Sequence, residues 1–177
     1  MSTGAQVPAE GASRALWAST ASFTACFVVW TIFSIIGLGI KDDLGLSETE
    51  FGLLVGTPIL TGSLSRVFLG IWADQYGGRR ILALVMVLAA AATFLISLAD
   101  SYAELPLAAL GVGIAGGGFS VGVAYVSKFY PKDRQGTALG IFGAGNVGSA
   151  VTKFLAPFVM VGMGWQAVAQ IWAWALL

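Results

Sequence analysis

Five long apolar segments constrain the fold of this 177-residue chain more than any other feature. Each has 18 to 25 residues, and a helix needs about 20 mostly apolar residues to cross the ~30 Å hydrocarbon core of a bilayer. The segments, numbered here as spans 1 to 5, are Leu16–Ile40, Phe51–Trp72, Ile81–Leu98, Leu105–Ser127 and Thr137–Val161. With 57% hydrophobic residues, the chain is too apolar for one soluble core. The predicted fold class is therefore all-α, a polytopic membrane helix bundle.

A sixth apolar segment, Trp165–Leu177, is too short to cross a bilayer. Its 13 residues reach only ~20 Å at the helical rise of about 1.5 Å per residue. We therefore expect span 6 to be incomplete and the chain to be part of a longer protein. Residues 1–14 are mostly small and polar and predict a disordered cytoplasmic tail, and residues 15–177 predict one transmembrane domain.

The basic residues predict an orientation in the membrane. With a cytoplasmic N-terminus, only Lys41 lies in an outer connection. Six basic residues then lie on the cytoplasmic side: Arg14, Arg79, Arg80, Lys128, Lys132 and Arg134. Cytoplasmic loops carry an excess of Lys and Arg, so we expect a multi-pass protein of the cell inner membrane with its N-terminus inside. Because the connections are short, we also expect the spans to pack as sequential antiparallel neighbours.

Several functional classes do not fit the composition. The chain has no His and one cysteine, Cys26, and every carboxylate lies outside the spans, so we predict no metal site, no cofactor and no enzyme. The net charge of zero gives no reason to expect a nucleic-acid partner. Two G-x-G-x-x-G motifs, Gly111–Gly116 and Gly143–Gly148, lie inside spans rather than after a β-strand, so we read them as packing motifs and not as nucleotide sites.

Glycine is concentrated in spans 4 and 5. Small residues allow helix backbones to approach closely, and pairs such as Gly113/Gly117 repeat the small-xxx-small pattern of membrane helices. We expect both spans to pack tightly, or to bend locally during a conformational change. The residues predicted to act in packing or as hinges are Gly117, Gly118, Gly140, Gly143, Gly145 and Gly148.

Arg66 is the first candidate functional residue. It is the only charge among the sixteen residues from Leu53 to Phe68 in span 2, and a cation inside a membrane is costly and usually functional. No span contains Asp or Glu. The anion that neutralises Arg66 is therefore either in a part of the protein outside this chain or a transported ligand.

The connection between spans 2 and 3 resembles a signature of the major facilitator superfamily. It reads Gly70-Ile-Trp-Ala-Asp74-Gln-Tyr-Gly-Gly-Arg79-Arg80. The resemblance implies that Asp74, Arg79 and Arg80 form a cytoplasmic latch that holds one conformation. For the two arginines, membrane anchoring is a compatible second explanation.

A narrower resemblance, to the nitrate/nitrite porters of that superfamily, covers nearly the whole chain. The segments that carry it are Val29–Ser34, Asp43–Ser47, Thr57–Arg66, Gly117–Phe119, Ser127–Pro131, Gly136–Gly140 and Gly143–Gly148. It implies that the chain is most of the N-terminal half of a twelve-helix fold, a half of six helices. It also implies that Arg66 and Phe119 bind the substrate, that Asn146 is a signature asparagine, and that the C-terminal half supplies a second arginine. Where some members have Ala-Asn, this chain has Ala124-Tyr125, which leaves the coupling mode open.

The depths of these three residues agree with a shared site. Counted from the cytoplasmic ends of their spans, Arg66 lies at ~9 Å, Phe119 at ~12 Å and Asn146 at ~14 Å. Secondary transporters bind their substrates near the bilayer midplane. A planar guanidinium, a neutral amide and a flat aromatic ring suit a small planar oxyanion such as nitrate or nitrite. Packing for Phe119, an interhelical hydrogen bond for Asn146 and a snorkelling Arg66 are the alternatives.

Lys153 lies seven residues after Asn146, about two turns further from the cytoplasmic side. Three roles are open for it: attraction of anions, proton coupling, or snorkelling towards the outer surface. The predicted function is alternating-access transport of nitrate and/or nitrite, by nitrate/nitrite antiport or nitrate/proton symport, with this chain inactive alone. The alternatives are transport of another small anion or organic acid, and a non-transporting membrane partner or sensor.

Overall fold

The computed structural model describes residues 10–177, which form eight α-helices and two short 3₁₀ segments. The α-helices are α1 (Ala12–Trp30), α2 (Phe33–Leu44), α3 (Glu48–Tyr76), α4 (Gly78–Ile96), α5 (Leu105–Gly113), α6 (Gly118–Ser127), α7 (Lys132–Gly143) and α8 (Val147–Ala175). The 3₁₀ segments are Ile114–Gly117 and Ala144–Asn146. Residues 10–177 contain no strand, and the predicted all-α class is confirmed.

Five helical stretches of residues 10–177 are long and apolar enough to cross a membrane. They are Ala12–Leu44, Glu48–Tyr76, Gly78–Ile96, Leu105–Ser127 and Lys132–Ala175. Each corresponds to one predicted span, although α4 ends at Ile96, two residues before the predicted end of span 3. The last stretch also includes span 6 as far as Ala175. Residues 1–9 of the predicted tail lie outside the described residues, and α1 begins at Ala12, inside the predicted tail.

Span 2 shows how the sequence determines the helix ends. Ser47 and Glu50 form a capping box: the Glu50 backbone N–H donates to the Ser47 hydroxyl at 3.3 Å, and the Ser47 N–H donates to the Glu50 carboxylate at 2.9 Å. At the other end, Gly77 has φ 92°, which favours glycine. The helix α3 therefore extends about one turn beyond the predicted apolar segment at each end.

Span 1 is not the single helix that was expected. The helix α1 ends at Trp30, and α2 begins at Phe33. The Thr31 hydroxyl donates to the Phe27 carbonyl at 3.0 Å, and the Ser34 hydroxyl donates to the Thr31 carbonyl at 2.6 Å. Hydroxyl groups that hydrogen-bond to a preceding carbonyl tend to bend helices, which accounts for the interruption.

Spans 5 and 6 form a hairpin. The helical backbone is broken at Gly164, which has φ 82° and lies in the gap between the predicted spans 5 and 6. The Trp172 indole N–H donates to the Thr152 hydroxyl at 3.0 Å, which ties the returning chain to span 5. The same hydroxyl donates to the Val28 carbonyl at 2.5 Å, so spans 1, 5 and 6 meet at Thr152.

The predicted order of packing needs a correction. Sequential neighbours do pack, as α4 and α5 show, but extensive contacts also join span 1 to span 5 and span 2 to span 4. Both pairs run parallel, because the members of each pair are an even number of spans apart in an alternating bundle. Glycines allow the close approach: a Cβ on Gly113 in span 4 would lie 2.6 Å from the Thr61 Cβ in span 2. Close backbone contact, rather than loop length, determines these pairings.

Candidate functional site

The side chain of Arg66 extends from α3 to the 3₁₀ segment of span 4. Its Nε donates to the Gly116 carbonyl at 3.1 Å, and the residue is half-buried. This is its one hydrogen bond within residues 10–177, and neither of the two ion pairs in that range includes it. Arg66 is therefore anchored through Nε, and its two terminal NH₂ groups can donate to a ligand.

Trp30 holds this arrangement together, and the sequence analysis did not single it out as a site residue. Its indole N–H donates to the Pro58 carbonyl in α3 at 3.0 Å. A Cβ on Gly62 would lie 2.7 Å from the Trp30 Nε1, and a Cβ on Gly116 would lie 2.8 Å from the same atom. Only glycine at both positions leaves room for the indole, so spans 1, 2 and 4 meet around Trp30.

A signal for this junction was present in the sequence. Pro58, Gly62 and Arg66 follow one another at intervals of four residues, so they lie on one face of α3. A proline, a glycine and a charge on one face of a membrane helix indicate a packed and polar environment rather than lipid. Trp30 at the end of α1 is the large side chain that meets this face.

Two aromatic rings flank the guanidinium of Arg66. Its Cζ lies 5.4 Å from the Trp30 ring centroid and 5.9 Å from the Phe119 ring centroid. Both distances fall within the ~6 Å range of cation–π attraction. The structure thus brings Arg66 and Phe119 together, as the depth count anticipated, and Phe119 remains 36% exposed.

Phe119 belongs to an aromatic cluster that joins spans 1, 4 and 5. Its ring centroid lies 5.4 Å from that of Phe23 and 5.9 Å from that of Phe142. Phe23 and Phe142 are stacked at 4.8 Å, and both are fully buried. The cluster supports the Phe119 ring from behind and leaves part of it accessible.

Asn146 lies on an exposed surface at the end of the second 3₁₀ segment. Its Nδ2 donates to the Gly143 carbonyl at 2.8 Å, which is its one side-chain hydrogen bond within residues 10–177. Its neighbour Gly145 packs on Phe23, where an added Cβ would lie 2.5 Å from the ring. Phe23 also contacts Phe119, so Asn146 is linked to the Arg66 region through one ring rather than by direct contact.

Lys153 is exposed on α8 and does not contact Arg66. It lines a cavity of about 180 Å³ at the interruption between α1 and α2. Trp30 lines the same cavity. The two intramembrane cations of the chain therefore lie near the same indole.

The C-terminal ends of spans 2 and 4 are joined by an ion pair that was not predicted. The Lys128 Nζ lies 2.9 Å from the Asp74 Oδ1. Arg79 and Arg80 are exposed and take part in neither ion pair of residues 10–177. The predicted acidic member of the latch is thus paired across two spans, but its cation is Lys128, which the sequence analysis had used only to orient the chain.

The six glycines predicted to pack or bend fall into two groups. Four lie against a neighbour: Gly117 faces Leu69, Gly118 would place a Cβ 3.4 Å from the Cys26 Sγ, Gly145 faces Phe23, and Gly148 faces the Thr24 carbonyl. Gly140 and Gly143 have no atom of the described residues within 4 Å of an added Cβ. For these two positions a packing role is not seen within residues 10–177, because they lie on the open face of α7.

Comparisons with known proteins assign the chain to a family. Residues 18–177 match the Major Facilitator Superfamily. The chain is 47% identical over 150 residues to the probable nitrate/nitrite antiporter NarK1 of Thermus thermophilus, an alignment that covers 85% of this chain and 34% of that protein. It is 38% identical to the nitrite extrusion protein of Bacillus subtilis (strain 168), covering 85% of this chain and 38% of the relative. It is 33% identical to the probable nitrate transporter NarT of Staphylococcus carnosus (strain TM300), and this alignment covers 89% of this chain and 40% of that protein.

A solved structure shows the same fold. A bacterial homologue of the human lysosomal transporter Spinster, in an inward-facing and unoccupied conformation, superposes with a TM-score of 0.78 and 24% identity. The match covers 93% of this chain and 40% of that protein. Across the relatives named above, this chain likewise spans 34% to 40% of their length.

Fold and site together define a multi-pass α-helical membrane protein of the transporter type. The chain belongs to the Major Facilitator Superfamily, and its curated relatives confirm the predicted relationship to nitrate/nitrite porters. This family consists of membrane transporters and not of enzymes, so the prediction that the chain is not an enzyme is confirmed.

Proposed function

We propose that the full-length protein containing this chain transports nitrate and/or nitrite by alternating access. The observation that carries the proposal is the geometry of Arg66: Nε is occupied by the Gly116 carbonyl, while both terminal NH₂ groups make no hydrogen bond within residues 10–177. A guanidinium with two free parallel donors suits a planar oxyanion. The flanking rings of Trp30 and Phe119 favour a small flat ligand. The relatives are named as nitrate and nitrite transporters, so nitrate and nitrite are the candidate ions.

Phe119 and Asn146 complete the proposed half-site. The accessible part of the Phe119 ring lies against one face of the anion. The Asn146 amide donates to Gly143 in the absence of ligand, and it exchanges this carbonyl for an anion oxygen on binding. This exchange keeps the amide N–H satisfied in both states, so its cost is small.

The remaining part of the longer protein completes the clamp. One guanidinium neutralises one anion but encloses it on one side only, and resemblance to the family supplies a second arginine from the other half. We therefore expect the 177-residue chain alone to be inactive. Nitrate uptake by vesicles that contain only this chain would contradict this expectation.

The orientation and the latch are part of the same proposal. The N-terminus lies in the cytoplasm of a cell whose inner membrane holds the protein, since six of the seven basic residues outside the spans then face inside. Asp74 and Lys128 hold spans 2 and 4 together at this side, and Arg79 and Arg80 follow Asp74 closely in the sequence. Labelling of single cysteines placed at positions 13 and 42 from each side of the membrane tests the orientation.

Two coupling modes fit the proposal. Exchange of nitrate for nitrite needs no proton carrier, and no carboxylate lies within a predicted span. Proton symport would need a proton carrier, and Lys153 is the candidate for this role. Proton flux measured together with nitrate uptake, in wild type and in Lys153→Ala, separates the two modes.

Transport by the full-length protein in vesicles tests the function. Arg66→Gln removes the charge and the fork, and we expect it to abolish nitrate uptake, since truncating one member of a buried charge pair costs about 2–5 kcal/mol. Arg66→Lys keeps the positive charge but loses the planar fork of donors. We expect it to retain only a small part of the wild-type nitrate uptake. Arg134→Gln, an exposed arginine in α7, is the matched control. Uptake in Arg66→Gln equal to wild type would refute the proposal, and stronger competition by a bulky carboxylate than by chlorate would indicate another anion.

A further inference from the structure

A small cavity lies on the side of Trp30 that faces Lys153. It has a volume of about 180 Å³ and opens at the point where α1 gives way to α2. Its lining includes Trp30, Thr31, Ser34, Val55, Ile59 and Lys153. Pockets for drug-sized molecules measure ~300–1,000 Å³, so this cavity suits a smaller ligand such as an inorganic ion.

Lys153 is the one charged group that lines this cavity. It is part of a helical stretch of membrane length, and neither ion pair of residues 10–177 includes it. The hydroxyls of Thr31 and Ser34 already donate to backbone carbonyls. The three N–H donors of the ammonium are therefore the donors that a ligand would meet first.

Trp30 lines this cavity and also lies near Arg66. One face of its indole is near the Arg66 guanidinium, at 5.4 Å from the ring centroid, and the residue also lines the Lys153 cavity. Its Nε1 is held by the Pro58 carbonyl at 3.0 Å. The cavity and the Arg66 site are thus neighbouring compartments that share one residue as a wall.

We propose that the Lys153 cavity is a second, weaker binding station for a small inorganic oxyanion, which the ion occupies before it passes Trp30 to reach Arg66. The proposal rests on the proposed function. One cation, with apolar and already-bonded neighbours, attracts an anion without enclosing it. Conduction through successive sites requires binding that is favourable enough for entry and weak enough for release. Lys153 therefore raises the local anion concentration, and Arg66 provides the site of transport.

Transport kinetics of the full-length protein in vesicles provide the first test. Lys153→Gln should raise the KM for nitrate about fivefold, which corresponds to the ~1 kcal/mol that a unit charge contributes at ~4 Å in water, with kcat unchanged. Lys153→Arg should keep the wild-type KM. Added inert salt should raise the wild-type KM towards that of Lys153→Gln, because it screens the ammonium. Lys41→Gln, which removes a cation paired with Glu48 outside this cavity, is the control and should change neither constant.

Chemical labelling provides a second test that does not need transport. Nitrate should slow the reaction of Lys153 with an amine-reactive reagent, read by mass spectrometry, in wild type and in Arg66→Gln. Protection that disappears in Arg66→Gln would overturn the proposal, because the station would then not be separate. An unchanged KM in Lys153→Gln would overturn it too, as would a loss of proton flux in both Lys153 variants. If wild type moves no nitrate, the proposed function itself fails, which is a distinguishable result.

Discussion

The two G-x-G-x-x-G motifs of the chain have the same spacing and different surroundings. In span 4, an added Cβ at Gly111 would lie 2.5 Å from the Ala92 Cβ, and one at Gly113 would lie 2.8 Å from the Pro58 carbonyl oxygen. The third glycine, Gly116, faces Trp30. This motif is thus in close contact with spans 1, 2 and 3.

The motif of span 5 is packed on one side only. Gly145 and Gly148 lie against α1, whereas Gly143 has no atom of the described residues within 4 Å of an added Cβ. In the most apolar part of Lys132–Ala175, 17% of the residues are buried, against 56% in the most apolar part of Leu105–Ser127. The comparison teaches that spacing alone identifies glycines that can pack, and that the neighbouring spans decide which of them do.

The largest effect is expected at Gly113. Gly113→Ala places a Cβ 2.6 Å from the Thr61 Cβ and 2.8 Å from a backbone oxygen that cannot rotate away. Overpacking of this kind costs ~1–3 kcal/mol or more. The midpoint of thermal unfolding of the full-length protein in detergent should fall by several degrees. An unchanged midpoint would mean that the two spans are not in backbone contact.

A smaller loss is expected at Gly145. Gly145→Ala brings a Cβ to 2.5 Å from Cδ1 of Phe23, and this ring can shift by part of an ångström, so we expect the lower part of the ~1–3 kcal/mol range. The same unfolding measurement checks it. Because Phe23 supports Phe119, the KM for nitrate should also rise. If the KM is unchanged while the stability falls, the aromatic cluster does not position Phe119.

Gly143→Ala changes a glycine of the same motif, but we expect the opposite effect on stability from that of Gly145→Ala. With open space around it, the alanine should stabilise the isolated chain by about 0.4–1 kcal/mol, because it restricts the unfolded backbone. In the full-length protein the same change should instead destabilise if another part of the protein packs on this face. Measuring both proteins therefore shows whether the open face is covered.

The smallest effect is expected at the C-terminal ends of spans 2 and 4, where Asp74 and Lys128 are paired. Asp74 and Lys128 are 63% and 49% exposed, and exposed ion pairs contribute ~0–1 kcal/mol. Asp74→Asn should leave the unfolding midpoint nearly unchanged. Its effect should be on the balance of inward-facing and outward-facing states, measured as a change in the exchange rate. Lys128→Gln should change the exchange rate in the same way as Asp74→Asn. Arg80→Gln should leave the exchange rate unchanged if Lys128 is the cation that pairs with Asp74.

The spans were predictable because their length and apolar content reflect one physical requirement, the crossing of hydrocarbon. The interruption at Thr31 and the two 3₁₀ segments could not be predicted, because they involve small changes of backbone angle that depend on tertiary contacts. The hairpin at Gly164 was predictable, because glycine and a gap between apolar segments coincide there.

The site was predictable in part. Depth along a helix can be counted from the sequence, and the structure does bring Arg66 and Phe119 together. Trp30 was missed because an aromatic residue in an apolar span has many ordinary explanations. The hydrogen bond of Asn146 to Gly143 was missed because it depends on the local 3₁₀ turn. Lys128 was missed because positive charge at a cytoplasmic end is expected without any partner.

The hydrogen bond between Arg66 and Gly116 also bears on the order of events during biosynthesis. The two residues are 50 positions apart. At ~5–20 residues per second, the ribosome completes Gly116 about 3–10 seconds after Arg66. An arginine at the centre of an inserting helix costs ~2.5–3.5 kcal/mol. Span 2 is therefore synthesised before the carbonyl that Arg66 binds, and we expect its insertion to become more stable once span 4 follows.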